Sequence, residues 1–446
     1  MFPYHGRAAL ITGAIAILCT LDSPSDTIAA QIPDCSQAAV VTADVATGEE
    51  LQRVLNENAG QGRCVRLAKD RTISCSMREE MFRGEKSPHA LLIPENVRLD
   101  LNGSTLKLDM RSNGYGVRLC NNSAIGNGTI KIVASEGKGS QAIWHCAVSV
   151  GAAYGDGGTV DKPSYFSKVA NWEIEKITID QPFAAACIQL MSEACHGSIR
   201  DIRILDSEKA LLGIGLDWGS VGPITAEDST IPHMKTLWEQ GQIYSTHPHD
   251  IVIERIKVGN LSRNVDANDA GVRMSACHNI TVRDVKVDSA ASAVMIVGGD
   301  CGYEYARAEE RRFAHRGYRI ERVTIDRALR YGIVLNGLAD NVWRATKKHG
   351  YQPIIDPAHP GIDHLIVRDV TLHGAKTPHS QGIYAVSLSD ATLTNIQIDS
   401  FAIGVHVEDW VRGMSFKQTD IKGNTQDKLV EGATEPATGV TFDPVK

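Results

Sequence analysis

One seven-residue pattern returns six times along this chain: IEKITID (Ile174 to Asp180), IRDIRIL (Ile199 to Leu205), IERIKVG (Ile253 to Gly259), VRDVKVD (Val282 to Asp288), IERVTID (Ile320 to Asp326) and VRDVTLH (Val367 to His373). After a turn, the copies from Ile199 onward are each followed by a second short strand built on a small residue and an apolar alternation, and one more such strand comes after them. These are GIGLD (Gly213 to Asp217), GVRMS (Gly271 to Ser275), AVMIV (Ala293 to Val297), GIVLN (Gly332 to Asn336), GIYAV (Gly382 to Val386) and GVHVE (Gly404 to Glu408). From Gly271 to Ala293 is 22 residues, and from Gly382 to Gly404 is again 22; the longer intervals hold inserted residues of different composition. A unit of this length with period-two strands cannot bury its apolar face alone, so it must stack on copies of itself. The stack predicted is a coil of parallel strands, with Val, Ile and Leu inward and the alternate residues outward. With 43% hydrophobic, 22% charged and only 6% aromatic residues, and 40 glycines among 446 residues, the composition suits many short strands and turns and excludes a disordered chain.

The pattern resembles the right-handed parallel β-helix of the pectate-lyase-like superfamily, which includes polysaccharide lyases, polygalacturonase-type hydrolases, uronan epimerases and phage tailspikes. The resemblance covers Asn96 to Gly423 and implies an all-β solenoid with an active face on a carbohydrate substrate. Thr47 to Glu50 reads as a capping box, and Leu51, Val54 and Leu55 make one apolar helical face, so residues 31–95 are expected to carry a helix that covers the open end of the coil. ENVRLDLNGSTLKLD (Glu95 to Asp109) and NGTIKIV (Asn127 to Val133) read as early turns. After Trp410 the pattern fades, and residues 424–446 are expected to cap the other end. A β-propeller is the architectural alternative, but its blades take about forty residues each and hairpin turns that the chain lacks.

The first thirty residues read as an export signal. His5 and Arg7 precede the apolar run Ala8 to Leu21, and Thr27, Ala29 and Ala30 supply small residues for cleavage. A secreted or periplasmic protein is expected, and no later run reaches the roughly 20 apolar residues of a membrane helix. Nine cysteines follow the signal. Cys64 with Cys75, Cys187 with Cys195 and Cys277 with Cys301 are local pairs permitted outside the cytoplasm, their connectivity left open. A net charge of -7 argues against sequence-independent nucleic-acid binding.

Three long insertions leave from the same point of the unit, just after the second strand: Trp218 to about Thr246, Asp300 to about Gly317, and Ala339 to Gly361. Stacking places them on one edge, as a wall beside the outer face of the second strands, where binding and catalysis usually live; an oligomer contact is the other reading. With Ile214, Leu216, Val272, Met274, Val294 and Ile296 inward, alternation turns Gly215, Asp217, Arg273, Ser275, Met295, Val297, Val334, Asn336, Tyr384, His406 and Glu408 outward. Asp217, Arg273, Ser275 and Asn336 form the expected polar centre, with Trp218, Asp300, Tyr303 and Trp343 on the loops. His247 and His249 return onto the sheet edge. Arg307, Arg311, Arg312, His315, Arg316 and Arg319, then Arg344, Lys347, Lys348 and His349, concentrate positive charge among aromatics, which suits an anionic polysaccharide.

Arg273 fits a uronate carboxylate, and equally an ion pair with Asp217. A lyase needs a base for the proton α to that carboxylate and a cation for the enolate; His247, Tyr303 and Arg330 are candidate bases, His247 foremost. A hydrolase needs two carboxylates, for which Asp217 and Asp269 are the pair to test. NDAG (Asn268 to Gly271) is similar to the first acidic motif of the polygalacturonase type, but the next strand brings no paired acid, and its Gly-His-Gly motif is missing. Asp266, Asn268 and Asp269 offer three oxygen side chains, either as turn formers or toward Ca²⁺. The preferred reading is a lyase, with hydrolase, epimerase and non-catalytic glycan-binding protein as alternatives.

Overall fold

The structure is a computed structural model that describes residues 32–82, 85–110, 114–135, 146–151, 165–180, 182, 186–207, 210–217, 240, 243–261, 269–275, 277–298, 316–337, 361–432 and 436–444. The expected signal segment and all but a few residues of the three insertions lie outside these. Successive long strands, Lys168–Asp180, Glu193–Ile204, His249–Asn260, His278–Val297, Arg316–Asn336, Ile362–Gly374, Leu388–Asp399 and Val411–Ile421, pair in parallel, each on the next. A second ladder of short strands runs beside them through Ala186–Met191, Leu212–Asp217, Ala270–Ser275, Gln381–Val386 and Ile403–Val407, completed by the C-terminal halves of His278–Val297 and Arg316–Asn336. The molecule is therefore a parallel β-helix whose neighbouring coils are in register.

That register builds the core. Ile174, Ile199, Ile253, Val282, Ile320, Val367, Leu393 and Phe416 are consecutive partners, and none has any exposed surface. Each buried side chain of this kind stabilises the coil by about 1.5–3 kcal/mol relative to exposure. Ile188, Ile214, Val272, Val294, Ile333, Ile383 and Val405 make the matching column of the short strands. One glycine is obligatory in this packing: a Cβ on Gly197 would lie 2.0 Å from the ring of its strand partner Trp172, which is fully buried.

The repeated heptapeptide differs from the simple strand its alternation suggests. Its third residue, Lys176, Asp201, Arg255, Asp284, Arg322 or Asp369, has φ between 51° and 57°. A left-handed residue turns the chain, so inward positions fall at Ile174, Ile177 and Ile179, three apart and then two. Charges alternate in sign from coil to coil at this corner. The second position reads Glu175, Arg200, Glu254, Arg283, Glu321, Arg368, and the third reads Lys176, Asp201, Arg255, Asp284, Arg322, Asp369. Arg255 grips Asp201 through Nε and Nη2 at 2.7 and 3.0 Å, and Arg322 grips Asp284 at 2.6 and 2.9 Å. Glu254 lies 3.3 Å from Arg200 and accepts hydrogen bonds from Arg255 and Arg283, while Arg368 approaches Glu321 to 3.0 Å.

The ladder is longer than the sequence pattern. Arg63–Leu67 pairs in parallel with Val97–Asp100, and Thr72–Ser76 with Thr105–Met110, so coiling begins before Asn96. Gln426–Val430 and Thr441–Pro444 extend it past Gly423. A helix α1, Gly48–Glu57, opens on a capping box between Thr47 and Glu50 and buries Leu51 and Leu55. Among the described residues no helix is long and apolar enough to cross a membrane. The disulfide differs from the expected local pairs: Cys64 is joined to Cys35, and Cys75, Cys187, Cys195 and Cys277 are free and buried. Proximity in sequence misled here, because coiling brings Cys64 beside a residue 29 positions earlier.

Candidate functional site

The outer face of the short-strand ladder carries rows that run along the coil axis. One row is Gln189, Gly215, Arg273, Met295, Val334, Tyr384 and His406. In the next, Met191 partners Asp217; Asp217 follows Leu216, whose partner is Met274, and so stands beside Ser275, which continues to Val297, Asn336 and Val386. Asp217, Ser275 and Asn336 thus share a row, and Arg273 lies two residues away in the neighbouring one. The centre is not the polar patch expected. Ala270, Met295, Val297 and Val334 are at most 4% exposed and form an apolar cluster against which Leu212, Tyr331 and Tyr384 pack. Val297 separates Ser275 from Asn336, so Asp217 and Asn336 stand three strand spacings, about 14 Å, apart.

Arg273 is half-buried in this setting, and its Nε is buried without a hydrogen-bond partner. Among the described residues it forms no ion pair, with Asp217 or any other acid. On one side its strand neighbour is Gly215, with no side chain, beyond which Gln189 reaches over. On the other side is Met295. The guanidinium therefore stands in a slot with an apolar wall. Ser275 is fully buried, its Oγ also without a partner. Beyond it, burial drives the Cys277 thiol well above its ordinary range, reinforced by the Asp217 charge, so this cysteine is an inert core group.

Other nominated residues fall elsewhere. Asp217 and Asp269 lie at opposite ends of the Ala270–Ser275 register, six residues or about 20 Å apart. Paired catalytic carboxylates stand within about 10 Å of each other, so these two do not form a hydrolase pair. Asp269 is 4% exposed and His247 has no exposed surface, which removes His247 as a base open to substrate. His249 begins the strand His249–Asn260 but faces a corner, not the sheet: its ring stacks on His278 at 4.7 Å and meets His196 edge-on at 5.4 Å. Asp250 accepts from His249 Nδ1 at 2.7 Å; burial alone would push its carboxyl up, and this hydrogen bond and the imidazole charge outweigh it and hold it low. Arg330 lies with its guanidinium 5.1 Å from the Tyr331 ring. Trp218, Asp266, Asn268, Asp300, Tyr303 and Trp343 lie outside the described residues, and with them two of the three oxygen groups considered for Ca²⁺.

Toward the C-terminal coils the same face becomes aromatic and ionic. Tyr331 and Tyr384 have ring centres 5.8 Å apart, and Tyr384 and His406 5.6 Å. The Tyr384 hydroxyl donates to Glu408 at 2.7 Å, and His406 is held between Gln381 at 3.2 Å and Glu431 at 3.0 Å. Alternation identifies Tyr384, His406 and Glu408 as outward; it misses Tyr331, Gln381 and Glu431, which join them across coils.

No family model matches the chain, and no curated protein sequence matches it. Among solved structures, a mutant tailspike protein of E. coli bacteriophage HK620 superposes over 93% of this chain and 63% of its own, with a TM-score of 0.57 and 12% identity. The tailspike of the same phage in complex with pentasaccharide covers 87% of this chain and 60% of its own, with a TM-score of 0.56 and 10% identity. A further mutant in complex with hexasaccharide gives 0.55 and 11% over the same shares. The chain thus spans less than two thirds of the length of these tailspikes, and the likeness is one of fold.

Proposed function

Starting from a right-handed parallel β-helix of the pectate-lyase-like kind, we propose that the protein is an exported carbohydrate-active enzyme that binds a uronate-containing polysaccharide along the outer face of its short strands and cleaves it by β-elimination. The carrying observation is Arg273, a half-buried guanidinium with an unpartnered Nε on a face of an acidic protein. Corner arginines such as Arg255 and Arg322, by contrast, have their carboxylates already in hand. Structures of the same fold that hold a pentasaccharide and a hexasaccharide support a glycan as ligand. The apolar start of the chain and the Cys35–Cys64 disulfide support export to an oxidising compartment.

In this reading Arg273 binds the uronate carboxylate and stabilises the negative charge that develops when the neighbouring carbon loses its proton. The electron pair left on that carbon forms the double bond as the glycosidic oxygen leaves. With His247 buried, Tyr303 and Arg330 remain as the candidate bases. Tyr331 and Tyr384 supply flat apolar surface for sugar rings farther along the coil. An epimerase shares the proton abstraction and differs only in returning the proton to the other side.

The test is incubation with a panel of uronate polymers, following unsaturated-product absorbance and reducing ends together. Absorbance with new ends is expected, and Arg273→Ala should lower it at least 100-fold while circular dichroism stays unchanged. New ends without absorbance would replace the lyase by a hydrolase. Solvent deuterium entering the sugar without cleavage would mark an epimerase, and binding with no chemistry a glycan-binding protein.

A further inference from the structure

We propose that Cys195, His196 and His249 bind a divalent transition-metal ion of the zinc class, at a corner of the coil outside the sheet face described above. The Cys195 Sγ and one ring nitrogen from each histidine lie within 4.8 Å of one another. Cys195 is strand partner to His249, so the register holds them side by side on successive coils. His196 joins them because it is left-handed, with φ of 51°, which breaks the alternation that would otherwise send adjacent side chains to opposite faces. One sulfur and two imidazole nitrogens are the donor set that zinc prefers over magnesium or calcium.

The surroundings are those of a supported metal site. Asp250 accepts from Nδ1 of His249 at 2.7 Å, the carboxylate backing that orients a metal-bound imidazole, and its charge lies 3.7 Å from Nδ1 of His196. Asn279 in turn donates to Asp250 at 3.1 Å, and the stacked His278 ring fixes the plane of His249. Cys195 is buried and outside any disulfide, whereas the His196 side chain is 54% exposed, so the corner is rigid behind and open in front. Zinc bonds of about 2.0–2.3 Å place ligand atoms about 3.5 Å apart, so the three side chains would draw together on loading, with the half-exposed His196 ring free of the core. Three protein ligands leave a fourth position for water or an exchangeable group. The other groupings among the described residues are weaker: Cys35 and Cys64 are consumed by their disulfide, and neither Asp363, His364 and Asp390 nor His406, Glu408 and Glu431 offers a sulfur.

The experiment uses the full chain, stripped with chelator and reloaded with Zn²⁺ or Co²⁺. Elemental analysis after gel filtration should give one zinc per chain, and the cobalt form should show a thiolate-to-metal charge-transfer band. Cys195→Ser should abolish that band, and His196→Asn, at a half-exposed position that leaves the core untouched, should weaken zinc binding at least tenfold with no change in the metal-free melting curve. Failure to retain zinc, a band that persists in Cys195→Ser, or His196→Asn binding zinc like the parent chain would overturn the assignment. None of these readouts depends on glycan chemistry, so the site and the proposed activity stand or fall separately.

Discussion

Arg273 and Gly215 are strand partners on adjacent coils, so the coil beside the guanidinium brings no side chain of its own there. A side chain at 215 would press on Gln189 and Leu212, which already lie within 3.1 Å of its Cβ position. Gly215→Leu is therefore expected to raise KM about tenfold or more and to lower the thermal midpoint as well, measured by initial rates and by calorimetry. Gly197→Ala should act on stability alone. Its methyl group would drive into Trp172, an overpacking that costs about 1–3 kcal/mol, visible as a lower urea midpoint with activity per folded molecule unchanged. At this scale the sequence was legible wherever alternation was strict. It put Asp217, Arg273 and Ser275 on one face because short strands have period two. It could not warn that Asp217 and Asp269 stand at opposite ends of two paired strands, since alternation reports facing and not distance. The grouping of Cys195, His196 and His249 was hidden for a third reason: a left-handed residue cancels the alternation there.

The corner where each long strand bends is the element that repeats most faithfully, and its charges are the part of the heptapeptide that varies lawfully. Glu254 meets Arg200, Arg255 and Arg283, all partly exposed, so its removal should cost about 1–2 kcal/mol, less than a fully buried pair. Exchanging Glu254 and Arg283 should not restore stability, because each residue would then face a like charge on its other side, Arg200 and Glu321 respectively; urea denaturation of the double variant tests this. Acid should act on the same element. Burial pushes the Glu254 and Glu321 carboxyls up, but hydrogen bonds from Arg283 and Arg255, and from Arg368 and Arg319, outweigh it and leave both below the usual range. A lowered folded-state value means that the unfolded chain binds protons first. Their contribution is thus complete above about pH 4.3 and lost as pH falls through the lower folded-state values, which a melting series from pH 6 to pH 3 would reveal. The apolar letters of the heptapeptide announced a strand from the sequence; the bend within it went unseen, because Asp, Arg and Lys at the third position look like ordinary solvent-facing residues.

As a whole, the molecule is a stack in which each coil touches only its neighbours, so its ends govern where it opens. The Cys35–Cys64 disulfide spans 29 residues of chain, beside the parallel pairing of Val40–Ala43 with Arg63–Leu67. Loop-closure entropy for such a link is worth about 3–4 kcal/mol. Cys35→Ser should accordingly speed hydrogen exchange in those two strands while the coils around Val282 and Ile320 remain protected. The coil was recognisable from sequence between Asn96 and Gly423 and undercounted at both ends. Strands such as Thr72–Ser76 and Gln426–Val430 lack the charged corner that made the central copies conspicuous. The alternating corner has a further consequence for how such a chain can lengthen or shorten. Excising one coil would set like charge against like where the ends rejoin, as Arg200 beside Arg283 and Asp201 beside Asp284 if the coil of Glu254 were lost; excising two would leave the phase intact. Parity is therefore built into this solenoid, and its natural increment of inheritance is the pair.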